Sequence, residues 1–453
     1  MQISIAGAGA GKTTKIADSI IDCYGKCDSD KIIFCVAYTN NAAECIENKI
    51  HQYFGYIPSR IHISTIHSFL YQELIKPYYY LLFGIHFDSI SSKDLSAIDS
   101  RYKNAEFKRL EASGYLHVEA ISERAKWVFV KKSKDTKDIK ERRKAIQKTF
   151  KAYCGGVFLD EAQDINNDIL EILVQFHELG LDVHIMGDPK QDLRGYGNLR
   201  KLVDKYPDSV TYIVDCFRCP SCHLTLSNTL VEDAEKQNSR SDTIGILKYV
   251  YERDISLEKY LAENAFGLMY ISEKNERLDT HKFKQPLVDE NLFRELESVF
   301  VTAYPDDDEK MLSRAAYYYA EKMALAIRNG KAVKVVINGF INELQKKIDR
   351  QEYAKLASAL TNIVDNKSAP KLTVSSIEAI KGMEHSACLF VLTPDLAPYL
   401  FSQKKDDNKT KHKAYVALTR STDLLCIMIT NETEQKYGRK AIDSFMASYV
   451  SKD

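Results

Sequence analysis

The chain opens on an apolar strand that runs straight into a glycine-rich turn: Ile3-Ser4-Ile5 leads to Ala6-Gly7-Ala8-Gly9-Ala10-Gly11-Lys12-Thr13-Thr14. This is a P-loop pattern with alanine at its first glycine position. Small residues let backbone N–H groups close around phosphate oxygens, and the helix that follows turns its positive end toward them. Ala8, Gly9, Ala10, Gly11 and Thr14 would form the cradle. Lys12 would reach the β- and γ-phosphates and Thr13 would ligate Mg²⁺. The alternative is a glycine-rich strand–helix turn with an incidental Lys-Thr pair.

A P-loop of this kind requires a parallel α/β sheet, and the patterning agrees. Apolar strands are expected at Lys31–Ala37, Ile61–Ser64, Gly156–Asp160, Leu181–Gly187 and Ser209–Val214, alternating with helices. Between them, residues 69–153 read as helical, aromatic and charged, hence as an insertion. Beyond Cys216 a second alternating region is expected. It has a helix around Ser313–Asn329, then strands at Ala332–Asn338, Lys371–Ser376, Ala387–Leu392 and Asp423–Ile429. Residues 230–310 carry no readable pattern.

The second chemical signal is Val157-Phe158-Leu159-Asp160-Glu161-Ala162-Gln163-Asp164, an apolar strand ending in paired carboxylates. Asp160 suits Mg²⁺, which favours carboxylates and retains waters. Glu161 suits the polarisation of an attacking water. The plainer reading is a solvated acidic helix start.

The order of motifs along nearly the whole chain resembles the UvrD/PcrA/Rep group of superfamily 1 helicases. Ala6–Thr14 resembles their first motif, Ala37–Ala43 the next, Thr65–Phe69 a short one, and Asp160–Asp164 the acidic one. Gly187–Gln191, continued to Gly195–Gly197, resembles the third, and Phe217-Arg218 the aromatic–arginine pair. Thr373–Glu384 resembles the fifth and Tyr415–Arg420 the sixth. The resemblance implies an α/β fold of two RecA-like parallel-sheet P-loop domains with a helical insertion in the first. Residues 1–68 and 154–215 would form the first ATPase domain, 69–153 the DNA-contacting insertion, and 216–453 the second domain. It also implies a DNA-dependent ATPase and helicase or translocase, moving 3′→5′ on single-stranded DNA with ATP and Mg²⁺. Gln191 would sense the γ-phosphate, Arg218 and Arg420 would act as arginine fingers, Phe217 would stack on the base and Glu384 would meet the ribose and phosphate side. Tyr38, Thr39, Asn40, His67 and Tyr196 would face the nucleic acid. On residue type alone, Arg218 and Arg420 suit a surface, Tyr196 a core, and His67 a structural role.

The sequence departs from that group in three respects. The first strand begins at the first residues, so no glutamine motif precedes it and base selectivity is expected to rest on Phe217. About thirty residues separate Ala332–Asn338 from the fifth motif, so a separate helical subdomain is not expected there. Glu378 stands where relatives carry histidine and would repel a phosphate backbone.

Residues 126–151 hold eleven Lys or Arg against three Asp or Glu, with Trp127 and Phe150 at the edges. They read either as a phosphate-tracking face or as a solvated helix. Cys216, Cys219, Cys222 and His223 have metal-like spacing, with the metal reading the weaker one. The formal net charge is zero, so any nucleic-acid surface must be local. With no apolar run of membrane-span length and no signal peptide, the chain is expected to be cytoplasmic. The rival function is an NTP-dependent DNA-sensing regulatory subunit of a nuclease complex. It rests on resemblance to the small UvrD-like proteins that accompany nucleases in bacterial antiphage systems such as the Gabija type. The partners would then be DNA ends and a nuclease.

Overall fold

The computed structural model describes residues 1–93, 95, 100–273, 277–279, 290–305, 307–328, 331–344, 346, 348–365 and 372–450. They form two compact units, one of residues 1–268 with 380–453 and one of residues 269–379.

The first unit is built on a six-stranded sheet. Its strands are β1 (Gln2–Ala6), β2 (Ile32–Ala37), β3 (Ile61–Thr65), β4 (Cys154–Leu159), β5 (Val183–Gly187) and β6 (Val210–Ile213). They lie in the order β3-β2-β4-β5-β1-β6, and every pair is parallel. Parallel strands need both faces covered, and the residues alternate accordingly. Ile3, Ile5, Phe34, Val36, Val157, Leu159, Val183 and Ile185 enter one core. Ile33, Cys35, Ala37, Phe158 and Met186 enter the other, where helix α1 (Lys12–Lys26) contributes Ile16, Ala17 and Ile20.

The segment between β3 and β4 is mainly helical, as expected, with one short parallel strand pair at Ser89–Ser91 and Tyr115–His117. It shares the first core. Phe150 stacks on Phe176 at 5.1 Å and on Phe34 at 5.8 Å, which ties helix Lys137–Tyr153 to the sheet. The same unit holds a second parallel arrangement, in which β7 (Ile246–Tyr251) pairs with β9 (Ser421–Ile429), and β9 with β8 (His385–Leu392). The architecture is α/β with two RecA-like parallel sheets.

The second unit corrects one expectation. Ala332–Asn338 is not a strand, because helix Val333–Leu344 occupies it. The run is apolar enough to suit either element, but Val336, Ile337, Phe340 and Leu344 are buried while Val335 is exposed, which is helical spacing. Helices Glu290–Ala303, Glu309–Arg328, Val333–Leu344 and Arg350–Asp365 enclose their own core. Ala316, Ala320 and Ala324 recur at helical spacing along a buried seam. A separate helical body therefore exists where the spacing of the sequence argued against one. Two short parallel pairs accompany it, Tyr270–Ile271 with Ser375–Ser376 and Leu278–Asp279 with Leu372–Thr373. The strand expected over Lys371–Ser376 is thus two short strands, and Lys371 lies outside the described residues. No helix among the described residues is long and apolar enough to cross a membrane.

Candidate functional site

Because β4, β5 and β1 are parallel neighbours, their carboxyl ends line one edge, and each is followed at once by a chemically pointed residue. β1 leads into Gly7, β5 into Asp188 and β4 into Asp160. Gly9 (φ 66°) and Gly11 (φ 72°) take left-handed backbone there. A side chain at Gly9 would also strike Arg218 Cβ at 2.4 Å. Helix α1 starts at Lys12 with no side-chain cap and no acidic residue in its first turn, so its orphan N–H groups face outward. Lys12 Nζ folds back onto the Ala6 and Gly7 carbonyls at 3.4 and 3.3 Å.

One cavity of about 680 Å³ opens at this edge. It is lined by Ala8 through Thr14, Glu161, Gln191, Phe217, Arg218, Glu384 and Arg420, which are the residues singled out from sequence for nucleotide and chemistry, Asp160 apart. Its size is that of a small-molecule site. Phe217 is 60% exposed, so its ring face is open to a base. Arg218 pairs with Glu384 and lies 3.4 Å from the Thr419 carbonyl. Arg420 is buried, held by the Val416 carbonyl (3.0 Å), the Thr419 hydroxyl (3.0 Å) and the Met383 carbonyl (3.3 Å). Gln191 donates to Asp188 at 2.9 Å, and Asp188 pairs with Lys190 at 2.8 Å.

The two carboxylates behind this cavity are driven apart. Burial, reinforced by the charge of Glu161, raises Asp160 to about 7 against the opposing pull of Lys12. Burial acts on Glu161 too. There Lys12, Lys381 and a hydrogen bond from Gln163 outweigh it, and the carboxyl is held below its ordinary range. Glu161 also sits at φ 54°, a left-handed conformation rare for a side-chain-bearing residue. Gln163 bridges the pair of acids after β4 and β5, donating to Glu161 and accepting from the Asp188 N–H at 3.0 Å.

The donor set fits Mg²⁺. The described residues hold no group of three or more His, Cys, Asp or Glu able to cage a metal. Thr13 and the buried Asp160 leave the remaining positions to phosphate oxygens and water, as Mg²⁺ prefers.

The residues expected to face nucleic acid lie outside the cavity. Tyr38 meets His67 edge-on at 6.4 Å, and the Arg194 guanidinium stands 5.2 Å from the Tyr38 ring centre. Burial and the Arg194 charge lower the pKa of His67, which favours a neutral imidazole. Tyr196 is 40% exposed. Asp192 shapes its loop by accepting from the N–H groups of Arg194 (3.1 Å), Gly195 (2.7 Å) and Gly197 (2.7 Å). Asn40 is exposed, and the Thr39 hydroxyl caps the helix Asn40–Phe54 by accepting from Ala42 N–H at 3.2 Å.

Two sequence readings resolve into structure. Phe150 is core, and Trp127 packs beneath Arg124 (3.9 Å) and Lys132 (4.1 Å), so neither is an open stacking platform. Cys216 and Cys219 are buried, with Cys219 N–H donating to Cys216 Sγ at 3.3 Å. His223 Nε2 meets the Ile246 carbonyl at 3.0 Å, so the four side chains do not converge on a metal. Sequence reasoning missed Arg240, Ser241, Asp242 and Thr243, which line the same cavity, and Gln237, which touches the P-loop at 3.0 Å. They fall in the stretch without periodicity, and no local signal marks them.

Residues 2–156 match the family model of the UvrD/REP helicase N-terminal domain. That match spans 155 of the 453 residues. The Gabija protein GajB of Bacillus cereus (strain VD045) is 23% identical over 498 residues, an alignment covering 95% of this chain and 93% of that protein. Among solved structures, Arterivirus nonstructural protein 10 (helicase), in complex with DNA, aligns at 11% identity with a TM-score of 0.36. That alignment covers 94% of this chain and 60% of the viral one.

Proposed function

We propose that this protein is an ATP-dependent DNA translocase or helicase acting on single-stranded DNA in the 3′→5′ direction in the cytoplasm. The observation that carries the proposal is the single cavity in which the P-loop, Glu161 and Gln191 of one sheet meet Arg218, Glu384 and Arg420. Residues 1–68 with 154–215 act as the first ATPase domain, 69–153 as its DNA-contacting insertion, and the second domain lies within 216–453. Lys12 and the amides of Gly9 through Thr14 bind the phosphates beside Ala8, Phe217 stacks on the base and Glu384 meets the ribose side. Glu161, kept ionised by its lysine neighbours, orients the attacking water and takes up its proton. Arg218 and Arg420 stabilise charge on the transferred group. Thr13 and Asp160 hold Mg²⁺, which supplies charge neutralisation at the phosphates when bound.

Gln191 and Asp192 join this chemistry to DNA. Gln191 lines the cavity, while the next residue builds the loop that presents Arg194 and Tyr196. A shift of Gln191 on hydrolysis therefore moves an aromatic residue that stacks on bases. Tyr196→Ala is expected to weaken single-stranded DNA binding by about 1–3 kcal/mol. Fluorescence anisotropy with a labelled oligonucleotide measures this, and unchanged affinity would place Tyr196 outside the DNA path.

The raised pKa of Asp160 has a consequence for metal binding. Mg²⁺ needs the ionised carboxylate, so protons compete with it below pH 7 and lose above it. The Mg²⁺ concentration for half-maximal hydrolysis is expected to be roughly tenfold higher at pH 6 than at pH 8. A Mg²⁺ titration at the two pH values tests this, and equal midpoints would contradict it.

NTP hydrolysis with and without single-stranded DNA, duplex ends and RNA, using Lys12→Ala as the blank, tests the whole reading. Strong stimulation by single-stranded DNA supports a motor. The second reading is favoured by the similarity to the Gabija protein GajB along 95% of the chain. In it the protein is an NTP-dependent, DNA-sensing antiphage subunit that acts with a nuclease, and turnover would need DNA ends or that partner.

A further inference from the structure

We infer that Gln237 is a positioning residue that locks the P-loop to the helix just before the Arg420 finger, an inference that rests on the ATPase reading. Three hydrogen bonds close a ring. Ala8 N–H donates to the Tyr415 hydroxyl at 3.1 Å, the hydroxyl donates to Gln237 Oε1 at 2.9 Å, and Gln237 Nε2 donates to the Ala8 carbonyl at 3.0 Å. Each member donates once and accepts once, so all three bonds are satisfied together and the ring acts as one unit.

Gln237 is itself held rigidly. Its backbone N–H donates to Asn228 Oδ1 at 2.9 Å, and Asn228 Nδ2 donates back to its carbonyl at 2.9 Å. The neighbouring Gly7 is needed for the fit, because a Cβ there would stand 2.3 Å from Gln237 Cδ. Tyr415 lies in helix Lys409–Leu418, and the Arg420 guanidinium bonds the Val416 carbonyl of the same helix at 3.0 Å.

The chemical consequence follows from which groups are occupied. Both backbone groups of Ala8 are taken by the ring, so the ring sets the direction in which the following amides, Gly9 to Thr14, point into the cavity. It also fixes how far the phosphates lie from Arg420. Ground-state binding uses the amides of Gly9 to Thr14, Lys12 and Phe217, none of which is a member of the ring, whereas transition-state stabilisation needs the Arg420 distance.

The decisive variant is Tyr415→Phe, which keeps the buried ring and removes only the hydroxyl. It is expected to lower kcat about tenfold and to move the Kd for ATP by less than about threefold. Gln237→Leu is expected to match it, and the double variant to fall no further than the slower single one, because one unit is broken in each. Losses that multiply, a Kd that rises in step with the fall in kcat, or an unchanged kcat would overturn the inference. Hydrogen exchange of the Ala8 amide gives a readout independent of turnover, expected to be slow in the wild type and fast in Tyr415→Phe. Equal exchange in the two would also overturn the inference. A wild-type protein that hydrolyses no nucleotide under any condition would remove the ATPase reading and with it the proposed role. An active wild type matched by Tyr415→Phe would remove the inference alone.

Discussion

Glu161→Gln is expected to lower ATP turnover by about 10²- to 10⁴-fold while leaving ATP binding nearly intact. The substitution keeps the size of the side chain and its left-handed backbone, and removes only the charge that, in the proposed function, takes up the proton of water. That charge exists because Lys12 and Lys381 outweigh the burial that would otherwise neutralise it. Binding, by contrast, is assigned in the same proposal to Lys12 and the amides at the start of α1, which the substitution does not alter. Single-turnover hydrolysis beside an equilibrium binding titration separates the two effects. Loss of binding in proportion to turnover would assign Glu161 to the phosphate cradle rather than to water. A normal rate would give the base role to another group.

Arg420→Lys is expected to cost about 10³- to 10⁵-fold in stimulated turnover, the range for an arginine finger. Lysine keeps the charge but not the planar fork that reaches two oxygens at once. The choice of lysine matters because Arg420 is buried and bonded to Val416, Thr419 and Met383. Alanine would leave those groups unsatisfied and confuse a loss of fold with a loss of chemistry. A thermal melt of the variant beside its kinetics keeps the two apart. Activity within a few fold of wild type would reassign Arg420 to a structural role and leave Arg218 as the finger.

Both predictions concern residues visible in the sequence, and the reason is local. A P-loop is a strand, a turn and a helix start within fifteen residues, and its chemistry needs small residues and a lysine at set offsets. The acidic pair is likewise announced by the apolar strand before it. Such features form from neighbours in the chain, so order and spacing carry them. The alternation of β1 to β6 was legible for the same cause: both faces of a parallel sheet are buried, and burial writes itself as apolar runs.

The misreading of Ala332–Asn338 marks the limit of that logic. A short apolar run can be buried as a strand or along one stripe of a helix, and only its packing against Leu356, Leu360 and Phe300 in a helical core settles the matter. The four-helix body was therefore hidden by one ambiguous element. The Phe150 aromatic edge of the basic stretch was similarly ambiguous until its ring stacked on Phe176.

By itself, then, the sequence determined the sheet class, the glycine-rich turn between β1 and α1 and the charged residues beside it, because each depends on a few consecutive side chains. The tertiary structure alone decided what surrounds them. It placed Arg240 to Thr243 on the cavity, set Arg218 against Glu384, separated the two acids in pKa, and brought Gln237 to Ala8 across 229 positions of chain. Hydrogen bonds and Coulomb fields act over a few ångströms of space without regard to distance along the chain, so no pattern of neighbours could have announced them.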